Sequence, residues 1–596
     1  MKRLSFLNIN LLLLLLVCTV PLAAAEQVDE EIVVTATKIP QPITEVPGLV
    51  QTIDEETNAE DQNKSVGELL LQEGLTVSTH GGGASFANIQ LGGASAAQTL
   101  VMFDGIPLSG GTTGIVDLSN IPVSGVEKIE VVYGPLSALY GANALGGVVN
   151  IIPNLTGDAE QRFYLSGGTF GSARGSLQLT RERWGLAIGA ARTDGHRPHS
   201  ATERYDLAAQ LNLVQHENDF LKLYGGYRVK NAQLPGSDSE LWPSKDHQED
   251  RNLFLNLAGK KEYSNNSLEV KLSYQSWDNN YHESIFNKDR HFSTRWGSDL
   301  TFRHDRDAHR FLAGLAFNYD TSDSTASGKH WQHGIGLYLQ DLWDLNDQLL
   351  LHAGLRWDQI AEYKPVFSPR VGLTWFPAER LNFGLSYGTA FRVPTVNDLY
   401  WEGSGNPDLK PEYGQKWEVS AHWQERQITV KANAYQSLLR DGIIWADPDG
   451  DDQWLPENVD RLRIYGFNLI ATYDWGLIDT SLGYAFLDRR GWDSLRAGYT
   501  RDLNYFGQHQ FNLKGQADFG KLNINTGCQV VANRIGTANG EKMPDYLLLS
   551  AGLRYQLTTN YVLSFDVENL TDTKYQIQEG YPMPGRNFKL TLNGRY

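Results

Sequence analysis

Residues 125–153, GVEKIEVVYGPLSALYGANALGGVVNIIP, decide how the rest of the chain is read. Apolar side chains at Val126, Ile129, Val131 and Val132 predict a strand that Gly134-Pro135 breaks. Ser137 is placed to cap a short helical turn, and Gly146-Gly147 lead into the buried-type run Val148, Val149, Ile151 and Ile152. The stretch is therefore a small α+β unit, closing just before the composition changes near residue 155.

Working outward, 596 residues are enough for two or more structural units. No run of eighteen apolar residues occurs, which excludes helical membrane spans. The 58 glycines and 11% aromatics suit many strands joined by tight turns, and the strands of a membrane β-barrel leave no hydropathy signal. A net charge of −18 argues against a nucleic-acid partner, because phosphate binding needs a basic face. Residues 1–25 read as a secretory signal peptide: Lys2-Arg3, an apolar core from Leu11 to Val20, then Ala23-Ala24-Ala25. Cys18 falls in that leader, so the mature chain keeps Cys528 alone and forms no internal disulfide.

Beyond the leader, Glu31-Ile32-Val33-Val34-Thr35-Ala36-Thr37-Lys38 is rich in β-branched residues and followed by Pro40, Pro42 and Pro47. Prolines so close keep it out of a central strand, which predicts an accessible, extended strip able to join the sheet edge of another protein. Ser65-Val66-Gly67-Glu68 is a capping box that opens a helix through Gln72, with Gly74 ending it. Two loops, Gly81 to Phe86 (with Ser85 and Phe86) and Ser109-Gly110-Gly111-Thr112-Thr113, carry small and hydroxyl residues that let a polar ligand approach closely. On residues alone they read first as plain solvent-exposed loops.

From about residue 160 the texture is repeated alternation. Leu268, Val270, Leu272 and Tyr274 alternate with Glu269, Lys271, Ser273 and Gln275; Ile428, Val430, Ala432 and Ala434 alternate with Thr429, Lys431, Asn433 and Tyr435. A period of two puts the apolar groups on one face. The other face is so uniformly polar that a lipid-facing outside and a wet inside fit better than a soluble sandwich. Strands in lipid must close into a ring. Some 437 residues, at about ten per strand and about ten per connection, give about 22 strands, a ring wide enough to need a plug.

The motif IEV-x-x-GP-x-SALYG-x-x-A-x-GGV-x-NII in residues 129–152 resembles the closing segment of the plug domain of TonB-dependent outer-membrane receptors. LVMFDGIPL (100–108) resembles another plug strand of that family, and FSPRVGL (367–373), FRVP (391–394), NPDLKPE (406–412) and ENLTDTKY (568–575) resemble its barrel motifs, while the alternating C-terminal strand ending on Tyr596 resembles the outer-membrane assembly signal. The resemblance implies an all-β membrane protein, with an N-terminal α+β plug inside a transmembrane barrel of about 22 antiparallel strands. It implies the boundaries 1–25 (leader), 26–44 (strip and linker), 45–155 (plug) and 160–596 (barrel). Residues Glu31, Ile32, Val33, Val34, Thr35, Ala36 and Thr37 would then be the TonB box, paired by TonB of the inner-membrane proton-driven complex. The strip lies too near the leader for an added signalling domain. The two loops, with Ser85, Phe86, Ser109, Gly110, Gly111, Thr112 and Thr113, would form the outward plug apex where substrate rests.

Family members usually place arginines in LRG and RGP elements, paired with barrel glutamates near the positions of Glu412 and Glu418. Here those elements read Leu91-Gly92-Gly93 and Tyr133-Gly134-Pro135, so the contact of the plug with Glu412 and Glu418 must be rebuilt or weaker.

Other candidates are weaker. Asp447, Asp449 and Asp451 with Gly450 have the spacing of a calcium loop but lack the closing Glu of an EF-hand, and read first as an acidic external loop. Asp238, Glu240, Asp246, Glu249 and Asp250 are more dispersed still. The pairs His196/His199 and His330/His333 read as surface histidines. No GxSxG, P-loop or HExxH element occurs, so catalysis has no support and no cofactor is required. The expectation is an energised importer of a scarce, metal-containing small molecule. Cobalamin or a related corrinoid is favoured by the resemblance of GG-x-x-G-x-x-DLS-x-x-P (110–122) to cobalamin receptors. A ferric siderophore or other chelate is the alternative, and a passive porin or outer-membrane enzyme is the rival from another class.

Overall fold

The computed structural model describes residues 31–596 apart from 55–63, 82–84, 217, 239–243, 284–287, 447–452, 494–497, 502–506 and 537–541. The acidic candidates Asp447, Asp449 and Asp451 lie outside the described residues.

The N-terminal unit is built from short strands: β1 (Ile32–Val33), β2 (Gln41–Pro42), β3 (Val50–Ile53), β4 (Val77–Thr79), β5 (Ala87–Ile89), β6 (Thr99–Phe103), β7 (Ile106–Pro107), β8 (Val126–Tyr133) and β9 (Gly147–Pro153). Its sheet runs β3-β8-β9-β6-β7, with β6 and β9 parallel and the other pairs antiparallel; β1/β2 and β4/β5 are separate hairpins. Helix α1 (Val66–Gln72) starts at the capping box, where Ser65 and Glu68 satisfy each other's backbone N–H, and Gly74 leaves it at φ +81°. Helix α2 (Ser137–Tyr140) departs from expectation: Leu136 occupies the cap position, and the buried Ser137 hydroxyl has no hydrogen-bond partner among the described residues.

Both faces of the sheet are buried. Ile129, Val131, Val149 and Ile151 pack with α1 on one side, whereas Val132, Val148, Leu100 and Met102 pack with Val33, Ala36 and Leu136 on the other. This is why the sequence of β8 and β9 reads as nearly continuous apolar runs.

Residues 160–595 form a closed antiparallel barrel of 22 long strands, with short pairings at Gly498–Arg501 and Lys542–Met543 beside them. The first strand, Glu160–Gly168, pairs in register with the last, Asn587–Arg595, which leaves no sheet edge. The period-two pattern is inverted relative to a soluble protein. Leu207, Leu272, Leu337, Leu385, Leu513 and Leu590 are exposed outside, whereas Gln210, Asn256, Gln275 and Thr374 are buried inside. Buried polar residues and exposed leucines are what lipid outside and a filled lumen inside require. No described helix is long and apolar enough to cross a membrane. One rim of the barrel has tight turns, such as 306–309 and 346–349, and the strip lies toward it; the opposite rim carries the longer connections at 392–412 and 568–587.

Gly147 shows how tightly the plug sheet is built. Its φ is +152°, and a Cβ there would sit 2.3 Å from the Val132 carbonyl oxygen. Gly147→Ala should destabilise the plug by about 1–3 kcal/mol. The check is a lower protease concentration for cleavage of residues 45–155 in detergent, with barrel heat-resistance unchanged.

Candidate functional site

The strip expected to be extended and accessible is instead folded back. Strands β1 and β2 pair Ile32 with Pro42 and Val33 with Gln41, and a turn closed by Lys38 N–H donating to the Val34 carbonyl (2.8 Å) joins them. Val33, Thr35, Ala36 and Thr37 are buried, whereas Ile32 and Val34 remain exposed at 46% and 38%. The cause is a set of side chains holding the strip's main chain. Buried Glu130 accepts from Val34 N–H (3.2 Å) and Thr35 N–H (2.8 Å). Tyr140 donates to the Thr35 carbonyl (2.9 Å), Arg370 to that of Ala36 (2.8 Å) and Gln340 to that of Thr37 (2.7 Å). Lys38 then pairs with wall residue Asp299 at 2.8 Å. Burial opposes its charge, but Asp299 and Tyr338 hold the ammonium above the ordinary lysine range. Glu31 lines a vestibule of about 1170 Å³ at the tight-turn rim.

At the other end, the loop after β7 is only partly open. The Ser109 N–H donates to Gln275 (3.1 Å), the Ser109 hydroxyl accepts from Gly111 N–H (3.2 Å), and Ser109 and Thr112 are buried. Gly110, Gly111 and Thr113 stay accessible, although the Thr113 hydroxyl donates back to the Gly110 carbonyl (3.0 Å). In the second loop, the Ser85 hydroxyl lies 2.8 Å from that of Thr79, and Phe86 leans on His80 at 5.6 Å between ring centres. His80 in turn stacks on Tyr581 of the 568–587 connection at 4.7 Å. Burial pushes the His80 imidazole below its ordinary pKa, so the stack is neutral near pH 7. Local spacing carries no signal for this pairing, since the partners lie some 500 residues apart. The histidine pairs are structural: His196 meets the Pro582 carbonyl at 2.8 Å, and His330 stacks on Tyr400 at 3.8 Å.

Between the two ends, the seam of plug and wall has a definite polarity. Residues 31–155 contain no arginine and three lysines, against thirteen Asp and Glu. The plug carboxylates face bases of the wall: Glu45–Arg310 at 3.0 Å, Glu68–Arg174 at 2.8 Å, Glu73–Lys514 at 2.6 Å, Asp104–Lys222 at 2.9 Å and Asp117–Lys230 at 2.9 Å.

The two wall glutamates are both fully enclosed, and their cations come from the wall itself. Glu412 pairs with Arg392 at 2.9 Å, and Glu418 with Lys416 at 3.0 Å. The plug offers them neutral donors only: the Gln98 amide to Glu412 (2.8 Å) and the Leu49 N–H to Glu418 (3.2 Å). The positive charge that arginines in the LRG and RGP elements would bring is thus supplied from the barrel side.

A corked lumen, a hairpin strip at one end and an outward loop cluster at the other are now in place. Residues 42–148 match the family described as TonB-dependent Receptor Plug Domain, and residues 150–570 match TonB dependent receptor-like, beta-barrel. The chain is a TonB-dependent receptor of the outer membrane.

The receptor is 26% identical to the vitamin B12 transporter BtuB of Photobacterium profundum, covering 96% of this chain and 97% of that protein. It is 27% identical to a vitamin B12 transporter BtuB of Vibrio vulnificus, covering 96% of each. Among solved structures, it resembles the siderophore receptor PiuA from Acinetobacter baumannii (TM-score 0.79, 17% identity, 93% of this chain and 98% of that one). It also resembles a ferric enterobactin receptor, PfeA, from Pseudomonas aeruginosa (TM-score 0.79, 16% identity, 95% and 100%). At that identity the structural likeness concerns the fold.

The seam makes a pH prediction for the receptor. Burial alone would raise the Glu68 carboxyl, but Arg174 and the Ser65 N–H hold it below its ordinary value of 4.5. A depressed carboxylate stabilises the plug at neutral pH and loses that contribution as pH falls through the depressed value. Glu68→Gln should weaken plug retention by about 1–3 kcal/mol at pH 7. It should also flatten the acid limb of a proteolysis-against-pH profile below pH 4.5.

Proposed function

We propose that this receptor imports cobalamin or a related corrinoid, driven by TonB acting on residues 31–37. The supporting observation is the end-to-end match to vitamin B12 transporters, at 26–27% identity over 96% of the chain. The siderophore reading draws on structural neighbours at 16–17% identity, which speak to architecture only. The accessible Gly110, Gly111 and Thr113 let a ligand with many amide groups approach the backbone closely.

The strip supports the energy-coupling part of the reading. Glu130, Tyr140, Arg370 and Gln340 occupy main-chain N–H and C=O groups of residues 34–37. Those are the groups a partner strand would take by edge addition, so docking to TonB exchanges side-chain bonds for ladder bonds at little net loss. In this reading, substrate settles on the outer loops, the strip leaves its side-chain clasp, TonB pulls on it, and the plug shifts to open a path.

Removing residues 31–37 should abolish uptake while ligand affinity stays the same. Glu130→Gln, which weakens the clasp but spares the strip, should raise the labelling rate of a cysteine placed at Val34 several-fold. Calorimetry of the purified receptor against cyanocobalamin, haem and ferric siderophores checks the substrate: saturable binding of cyanocobalamin alone is expected, and binding of a siderophore alone would reverse the assignment.

A further inference from the structure

One buried cluster is left unused by the import scheme. Lys230, 2% exposed on the wall strand Asp219–Leu234, places its Nζ 2.9 Å from Asp117 Oδ2, 2.9 Å from the Ser119 hydroxyl and 3.4 Å from Asp250 Oδ2. The partners tie the ammonium to the plug segment 117–119 and to the neighbouring wall strand. Asp117 Oδ1 accepts from Ala87 N–H (3.0 Å), immediately after the Gly81–Phe86 loop, and from Ser119 N–H (3.0 Å), just beyond the Ser109–Thr113 loop. Asp250, on the wall strand Asp246–Tyr263, also accepts from Gln248 (2.9 Å) and from Asn279 of the next strand (2.6 Å). Asn120, 9% exposed, donates to Asp117 (2.9 Å) and Asp250 (3.4 Å), and its own Oδ1 has no hydrogen-bond partner among the described residues.

The ammonium is thus surrounded by two carboxylates and a hydroxyl, hard donors of the kind that suit a calcium-sized cation. A protein ammonium fills the position instead. We infer that Lys230 is a tethered cation that fixes the plug at Ala87 and at Asp117 and Ser119, which follow the two apex loops, to three wall strands, so that this part of the plug is held without a divalent ion. A tethered charge cannot be diluted or chelated away, and so the order it imposes is independent of the ionic medium. This role of Lys230 holds whichever substrate is carried.

The test uses the full-length receptor in detergent, with proteolysis of the 81–86 and 109–117 loops as readout, in EDTA and in millimolar calcium. Wild type should be cleaved at the same slow rate in both. In EDTA, Lys230→Ala leaves two enclosed carboxylates facing each other, and cleavage should rise at least about tenfold. Calcium should restore the slow rate by occupying the vacated position, and Lys230→Met, which fills it with apolar bulk, should not be restored.

Faster cleavage of wild type in EDTA would overturn the inference, because a divalent ion would then be the tie. Unchanged cleavage of Lys230→Ala in EDTA would overturn it as well. Should Lys230→Ala fail to assemble, Asp250→Asn takes its place: increased cleavage in EDTA supports the tie to the wall, and an unchanged rate rejects it.

Discussion

Hydrocarbon offers a peptide group no hydrogen-bond partner, so everything in this receptor follows from the pairing of its first barrel strand with its last. With Arg162 set opposite Arg595 and Gly168 opposite Lys589, the first and last strands close the ring, and no described strand is left as an edge facing lipid. Closure at 22 strands leaves a lumen too wide for wall side chains to fill. The plug is the answer to that void, and its own sheet is buried on both faces, by α1 and wall residues such as Tyr224 on one side and by the strip and Leu136 on the other. The inverted exposure pattern, leucine outside and glutamine inside, is the same constraint seen one residue at a time.

A filled lumen raises an electrostatic problem, since two polar surfaces meet with little water between them. An unpaired charge there costs several kcal/mol, whereas a matched pair roughly breaks even. The receptor meets this with opposite signs on the two sides, acids on the plug and bases on the wall. Glu412 and Glu418 are among the wall's buried acids, and each has its cation beside it on the wall. Those two charges therefore stay compensated whether the plug is present or displaced. Lys38 with Asp299 is the reverse case, and it sits at the end of the strip, which it ties to the wall.

Much of this is readable in the sequence. The strand–turn–helix–strand unit of 125–153 and the long alternating runs specify plug and barrel, because they report burial through local periodicity. The capping box at Ser65 and Glu68 is likewise visible at its spacing of three. Long-range pairing is not. The burial of the strip depends on Glu130, nearly a hundred residues away, and on Gln340 and Arg370, far beyond that. The acids near residue 250 are too dispersed in sequence to signal a site, but Asp250 turns inward to Lys230. The self-compensation of the wall glutamates does leave a local signal. Lys416 and Glu418 are two apart on a strand, so they share a face and can neutralise each other. Arg392 and Glu412, directly opposite in one hairpin, follow the same logic once the register is known.

The order of the short plug strands along the chain also sets a route for tension. A tug applied at Glu31 travels through the β1/β2 hairpin and reaches β3, the four-residue outer member of the sheet, before any other strand. An outer strand can be unzipped one rung at a time, whereas the inner β8, β9 and β6 are each gripped from two sides. Under a pull from that end the plug would fray from one flank while its middle stayed whole, which would favour a lateral gap over wholesale ejection.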